Sequence, residues 1–306
     1  MNQNIQKGIY LAIITSVISG ISIFINKFAV SAIQPPLLFT ATKNAGVGLL
    51  ILSIILIAGK WREMKNLKRL DYVYLLLIAV IGGSLPFYLF FTGLSQIPAV
   101  NGAIIQKSLV LWVSILAIPL LKEKLSRKQF LAVLILFTGN LLIGGFKGFK
   151  YSQGELYVLL ATIIWGVETV LAKKVLLRVS PDLVTGARMG LGSVILIIAA
   201  VITSPTSFST GLHLNQTQWF WLLLTMATLL SYVMCWYRAL KLAPATTVTA
   251  VLVSSTLITN ILSAVFITHA WDLNLTVQGG LMVLGVILIL RLSSKPISLS
   301  PAPSEF

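Results

Sequence analysis

Leu94-Ser95-Gln96-Ile97-Pro98-Ala99 opens an apolar run from Val100 to Leu121, and the same turn returns as Leu240-Lys241-Leu242-Ala243-Pro244-Ala245. Each reads as a tight turn feeding a helix. Proline is tolerated in a helix's first turn, where its missing N–H has no partner to lose. At about 1.5 Å per residue, the run that follows Pro98 is long enough to cross a hydrocarbon core of roughly 30 Å. It contains one charge, Lys107, and the nearest acidic residue along the chain is Glu123. A charge at that depth is costly unless it faces protein or water.

The rest of the chain repeats this pattern. It has 306 residues, 57% hydrophobic and 10% charged, where soluble domains carry about 25% charged residues. Continuous apolar runs of about twenty residues predict helices; a barrel would alternate polar and apolar residues in short segments. We read ten spans, near 8–28, 36–58, 72–94, 99–121, 128–146, 154–174, 182–203, 217–238, 245–267 and 275–291. The first is read as a retained span rather than a cleaved signal, because no small-residue cleavage site follows it. Connections are short, and the Ser- and Pro-rich tail 293–306 is expected to be disordered. The lone Cys235 leaves no internal disulfide to read.

The net charge of +15 invites a nucleic-acid reading, but the placement of the basic residues argues against it. With the N-terminus in the cytoplasm, seventeen of the 23 Lys and Arg fall in inside segments and three (Lys27, Lys147, Lys150) outside. That asymmetry sets an orientation with both termini cytoplasmic, in an inner or plasma membrane, with the basic loops facing anionic lipid.

The halves repeat. A shift of 146 brings Gly8 onto Gly154, Gly20 onto Gly166, Pro98 onto Pro244, Ser108 onto Ser254 and Gly139 onto Gly285. A shift of 145 brings Pro36 onto Pro181 and Lys43 onto Arg188. Five spans is an odd number, so the second copy enters from the opposite side. The predicted fold is an all-α membrane protein of ten transmembrane helices in two inverted-topology five-helix repeats, residues 1–150 and 151–292. Such repeats are common in secondary transporters, with the site near the midplane between halves.

Three motifs give the chain a family likeness. Trp165-Gly166 has a degenerate first-half copy in Ser19-Gly20. A proline followed by a basic residue seven positions later occurs as Pro36/Lys43 and Pro181/Arg188. Pro98, Glu123-Lys124-Leu125, Gln129 and Gly139 form a block over spans four and five. These resemble the drug/metabolite transporter superfamily, specifically its EamA-type ten-helix members. The second half departs from the pattern with His269 where a Glu is expected. The resemblance covers about residues 8–291. It implies an inner-membrane carrier of metabolites, often an exporter of amino acids or related solutes, and does not give the substrate.

Polar residues inside the spans form helical stripes. Span one offers Thr15, Ser19, Ser22 and Asn26, and span four offers Gln106, Lys107 and Ser114. Span six has Trp165 and Glu168; span nine has Thr249, Thr256 and Asn260. Stripes on four symmetry-related helices suggest one cavity lined by Ser19, Ser22, Asn26, Gln106, Lys107, Trp165, Glu168, Thr256 and Asn260. The same small and hydroxyl residues also serve close helix packing. Trp112, Tyr88, Tyr232 and Trp236 are further candidates for an aromatic wall or for core packing.

Lys107 lies roughly 13 Å from one edge of its span and Glu168 roughly 21 Å along its own, so the two bracket the midplane. One reading gives Lys107 a substrate carboxylate and Glu168 an amine or a proton. The other is a permanent ion pair, Lys107–Glu168 or Arg188–Glu168. Lys43 and Arg188 are expected near the membrane faces in a structural role. Trp61, Trp219 and Trp271 look like interface anchors. His213 and His269 stand isolated and make no metal site. No cofactor is expected, since the chain has no Gly-rich phosphate loop and no His-Glu-x-x-His. The reading is therefore a secondary transporter of small solutes, with proton coupling open. The alternatives are a multidrug exporter, a lipid scramblase or an intramembrane enzyme.

Overall fold

The computed structural model describes residues 3–142, 148–203, 214–271 and 273–293. These residues form helices without strands. The first half contains α1 (Gln3–Ala32), α2 (Pro36–Ile57), α3 (Arg69–Gly83), α4 (Leu85–Leu94), α5 (Ala99–Lys107), α6 (Leu109–Leu121) and α7 (Arg127–Leu141). The second contains α8 (Gln153–Val175), α9 (Pro181–Gly186), a π turn (Ala187–Leu191), α10 (Gly192–Thr203), α11 (Gln216–Leu242), α12 (Ala245–Val253), α13 (Ser255–Ser263), a second π turn (Ala264–Thr268) and α14 (Leu273–Ser293).

Nine of these segments, joined across their breaks, are long and apolar enough to cross a membrane. The tenth expected span, 128–146, corrects to α7: its described part is 15 residues, and 143–147 lie outside the described residues. So do His213 and the tail beyond Ser293. Large apolar side chains such as Leu49, Ile57, Ile202 and Leu273 are exposed around the outside, as expected where the solvent is lipid.

The helix ends follow from the residues that make them. Pro36 and Pro181 sit in the first turns of α2 and α9, where their fixed φ suits helix entry. Ser126 caps α7, its hydroxyl accepting from the Gln129 N–H while the Gln129 side chain accepts from the Ser126 N–H. That gives the Gln129 of the sequence motif a local physical purpose. Gly139 and Gly285 form the crossing of α7 and α14: a Cβ on Gly285 would lie 2.6 Å from Leu136 Cγ, and one on Gly139 3.2 Å from Leu281 Cβ.

Three of the candidate spans are interrupted within their length. The breaks fall at Ser84, Ser108 and Ser254. The last two are repeat mates, and each hydroxyl donates back to the carbonyl three residues earlier, Ile105 and Val251. Packing is uneven along the length of the spans. α12 is buried throughout, whereas beyond Leu257 every residue of the same span except Ala264 is half-buried or exposed. α11 buries Trp236, Tyr237, Ala239 and Leu240 at one end, and only Leu222 and Thr225 over its first half. The tightly packed ends are those beside the basic connections.

Two charged side chains close that tight end around the Pro244 turn. Glu123 Oε1 accepts the Ala245 N–H at 2.7 Å, and Oε2 accepts the Thr246 hydroxyl at 2.8 Å and its N–H at 3.3 Å. Lys173 Nζ donates to the carbonyls of Leu240 (2.6 Å) and Ala243 (2.7 Å). An acid on the exposed N–H groups of one helix and a base on the last carbonyls of the helix before it satisfy both ends of the turn.

Candidate substrate cavity

A cavity of about 200 Å³ lies between the halves. Six sequence-predicted site residues line it: Ser19 and Ser22 from α1, Gln106 and Lys107 from α5, Trp165 and Glu168 from α8. Thr249 and Leu252 from α12 complete the four-helix stripe, and α11 adds Tyr232 and Trp236.

Three expected residues stand elsewhere. Asn26 is engaged one turn beyond Ser22, where its Oδ1 accepts from the buried Lys43 ammonium at 3.0 Å. A buried ammonium needs acceptors, and Asn26 is held by that need. Asn260 donates to Gln278 Oε1 at 2.8 Å, toward α14. Thr256 is buried outside the cavity wall. The break at Ser254 resets the helix phase, so the stripe read through span nine does not continue past it. Among the aromatic candidates, Tyr88 does not line the cavity, and Trp112 faces a separate groove with its indole N–H on Ser108.

The charges sort themselves by geometry. Glu168 pairs with Arg188, Nη1 to Oε2 at 3.8 Å, and its Oε1 accepts the Tyr237 hydroxyl at 2.6 Å. Arg188 Nη1 also donates to Tyr237 Oη at 3.1 Å. Of the ion pairs left open by the sequence, the structure therefore forms Arg188–Glu168. Arg188 corrects its expected place as well: it is not snorkelling at a face but buried on the cavity wall. Lys107 Nζ donates to Ser255 Oγ at 2.8 Å, a bond between halves 148 residues apart. No carboxylate lies within 4 Å of Lys107 among the described residues.

The carbonyl of Gly82 joins these groups. It accepts the Trp165 indole N–H at 3.2 Å and Arg188 Nε at 3.2 Å. Phe87 packs edge-on to Trp165, with ring centroids 5.2 Å apart, and Tyr232 stacks on Trp236 at 6.1 Å. The cavity thus has two apolar aromatic walls, a matched Arg188–Glu168–Tyr237 cluster and a separate cation. Sequence reasoning missed Tyr237 and Gly82. Tyr237 adjoins Trp236, an aromatic candidate from the sequence, but nothing in its own spacing marks it. Gly82 acts through its backbone.

The chain matches the EamA-like transporter family twice, over residues 6–145 and 152–291. It is 29% identical over 203 residues to "Uncharacterized transporter YyaM" of Bacillus subtilis (strain 168), covering 63% of this chain and 65% of that protein. It is 28% identical over 209 residues to an "Uncharacterized transporter" of Methanothermobacter thermautotrophicus, covering 63% and 61%. The match thus spans somewhat less than two thirds of these curated relatives. A protein of known crystal structure superposes with a TM-score of 0.77 over 97% of this chain and 99% of its own, at 17% identity, a likeness of fold alone.

Proposed function

The chain belongs to the EamA-like transporter family, and we propose that it is a secondary transporter exporting small carboxylate-bearing metabolites, foremost amino acids and related zwitterionic or anionic solutes. The observation that carries this is Lys107, a cavity-wall cation with a hydroxyl partner in Ser255 and no carboxylate within reach among the described residues. Glu168 is already matched by Arg188 and Tyr237. Two of the three ionisable Lys, Arg and Glu side chains on the wall are basic, so an anionic group on the cargo completes the charge balance. A cationic drug would add to the imbalance. The volume of about 200 Å³ also lies below the roughly 300–1,000 Å³ of pockets for drug-sized ligands.

Glu168 serves as the second contact in this reading, receiving the amine of a zwitterion or a coupling proton when its 3.8 Å contact to Arg188 loosens. The two repeats, 1–150 and 151–292, rock about the cavity in alternating access. The basic connections and both termini face the cytoplasm of the cell membrane, and the cavity is reached from the loosely packed outer end. Counterflow in proteoliposomes, across labelled amino acids, carboxylic acids and quaternary amines, tests the proposal. Exchange of a carboxylate-bearing solute that is lost in Lys107→Gln supports it. Exchange confined to quaternary amines, and lost in Glu168→Gln, would give the cavity to cationic drugs instead.

A further inference from the structure

Pro86 lines neither the cavity nor the ion cluster, yet its chemistry reaches both. In an α-helix the carbonyl of residue 82 is met by the N–H of residue 86. Pro86 has no N–H, and the helix breaks between Gly83 and Leu85 at Ser84, whose φ of −135° and ψ of −69° are not helical. The Gly82 carbonyl is left for other donors, and two side chains of the second half take it: Trp165 Nε1 and Arg188 Nε, each at 3.2 Å. We infer that Pro86 is a positioning residue of the cavity, which by withholding its N–H makes the Gly82 carbonyl the common anchor of Trp165 and Arg188.

The repeat supplies an internal comparison. Shifted by 146, Pro86 falls on Tyr232 and Trp165 on Ser19; shifted by 145, Lys43 falls on Arg188. Tyr232 can donate its backbone N–H, and α11 runs unbroken from Gln216 to Leu242. There the mate of Arg188, Lys43, bonds a side chain, Asn26, instead of a freed carbonyl. One half thus holds its basic residue by a broken helix and the other by a side-chain amide. Gly82 also sits hard against the ion pair, since a Cβ there would lie 2.6 Å from Glu168 Cγ. The carbonyl and the ion pair are pressed into one contact.

The inference uses the cavity reading above to give the anchor a purpose, but its test needs no cargo. In detergent-solubilised protein labelled with 15N-tryptophan, the Trp165 indole resonance is assigned by its loss in Trp165→Phe. In the wild type its N–H should exchange with solvent at least about tenfold more slowly than that of the exposed Trp219. In Pro86→Ala the restored N–H reclaims the Gly82 carbonyl. The Trp165 resonance should then shift and its exchange accelerate by a similar factor, while that of Trp112, bonded to Ser108 Oγ, stays unchanged. Wild-type exchange at Trp165 as fast as at Trp219 overturns the inference without any Pro86 variant. So does a folded Pro86→Ala with an unmoved Trp165 resonance, or one in which Trp112 shifts equally. Failure of the counterflow experiment with these signatures intact would overturn the cargo reading and leave the anchor standing.

Discussion

Glu123 Oε1 accepts the backbone N–H of Ala245 at 2.7 Å, across 122 residues of chain and from one repeat to the other. With Lys173 on the Leu240 and Ala243 carbonyls, it fastens the Pro244 turn against the basic face. Removing a charged acceptor from buried N–H groups costs about 1–3 kcal/mol. Glu123→Ala should lower the thermal midpoint in detergent accordingly, and Glu123→Gln, which keeps one acceptor oxygen, should lose less. Equal losses in the two variants would remove the helix-end account.

Lys107→Gln keeps a polar donor at this position, one bond shorter, and deletes the charge that meets Ser255. Transport should fall by at least about tenfold, the equivalent of roughly 1.4 kcal/mol, while folded yield and thermal midpoint hold. A collapse of folded protein would instead make Lys107 a structural link between halves.

The Arg188–Glu168 pair is buried on both sides. Breaking such a pair from one side costs about 3–5 kcal/mol, because the remaining charge is stranded, while apolar replacement of both is far cheaper. Glu168→Leu and Arg188→Met should each destabilise strongly, and the double variant by clearly less than their sum. Additive losses in denaturation would show that the two do not act as a pair.

Gly82→Ala places a methyl group against Glu168, with about 1–3 kcal/mol of overpacking expected and weakened transport. Gly280→Ala is the control, because a Cβ there meets nothing within 4 Å, and it should be neutral or slightly stabilising. Indistinguishable thermal midpoints for the two would remove the close contact at Gly82.

The candidate site was partly legible before folding. Period-3.6 polar stripes and the 146-residue repeat pointed to Ser19, Ser22, Gln106, Lys107, Trp165 and Glu168, which the structure gathers on one cavity. The stripes misplaced Asn26, Thr256 and Asn260 because they assume unbroken helices and free side chains. Ser254 interrupts span nine, and Lys43 draws Asn26 to itself. Arg188 read both as a face-seeking side chain and as one of two possible partners of Glu168, and depth along a span could not choose between these because it says nothing of which side chains stand beside it.

The sequence by itself determined the all-helical membrane character, the twofold repeat of the chain and the family. These depend on composition and on spacing along one chain, which the bilayer's thickness and low dielectric convert directly into structure. Only the tertiary structure decided which charges pair. Arg188 meets Glu168, and Lys107 is left with Ser255, because helices distant in sequence are packed side by side. It also revealed that a backbone carbonyl, Gly82, holds two side chains. Carbonyls are identical at every position in a sequence, and one becomes distinctive only when a proline four residues on leaves it free and another helix brings it a donor.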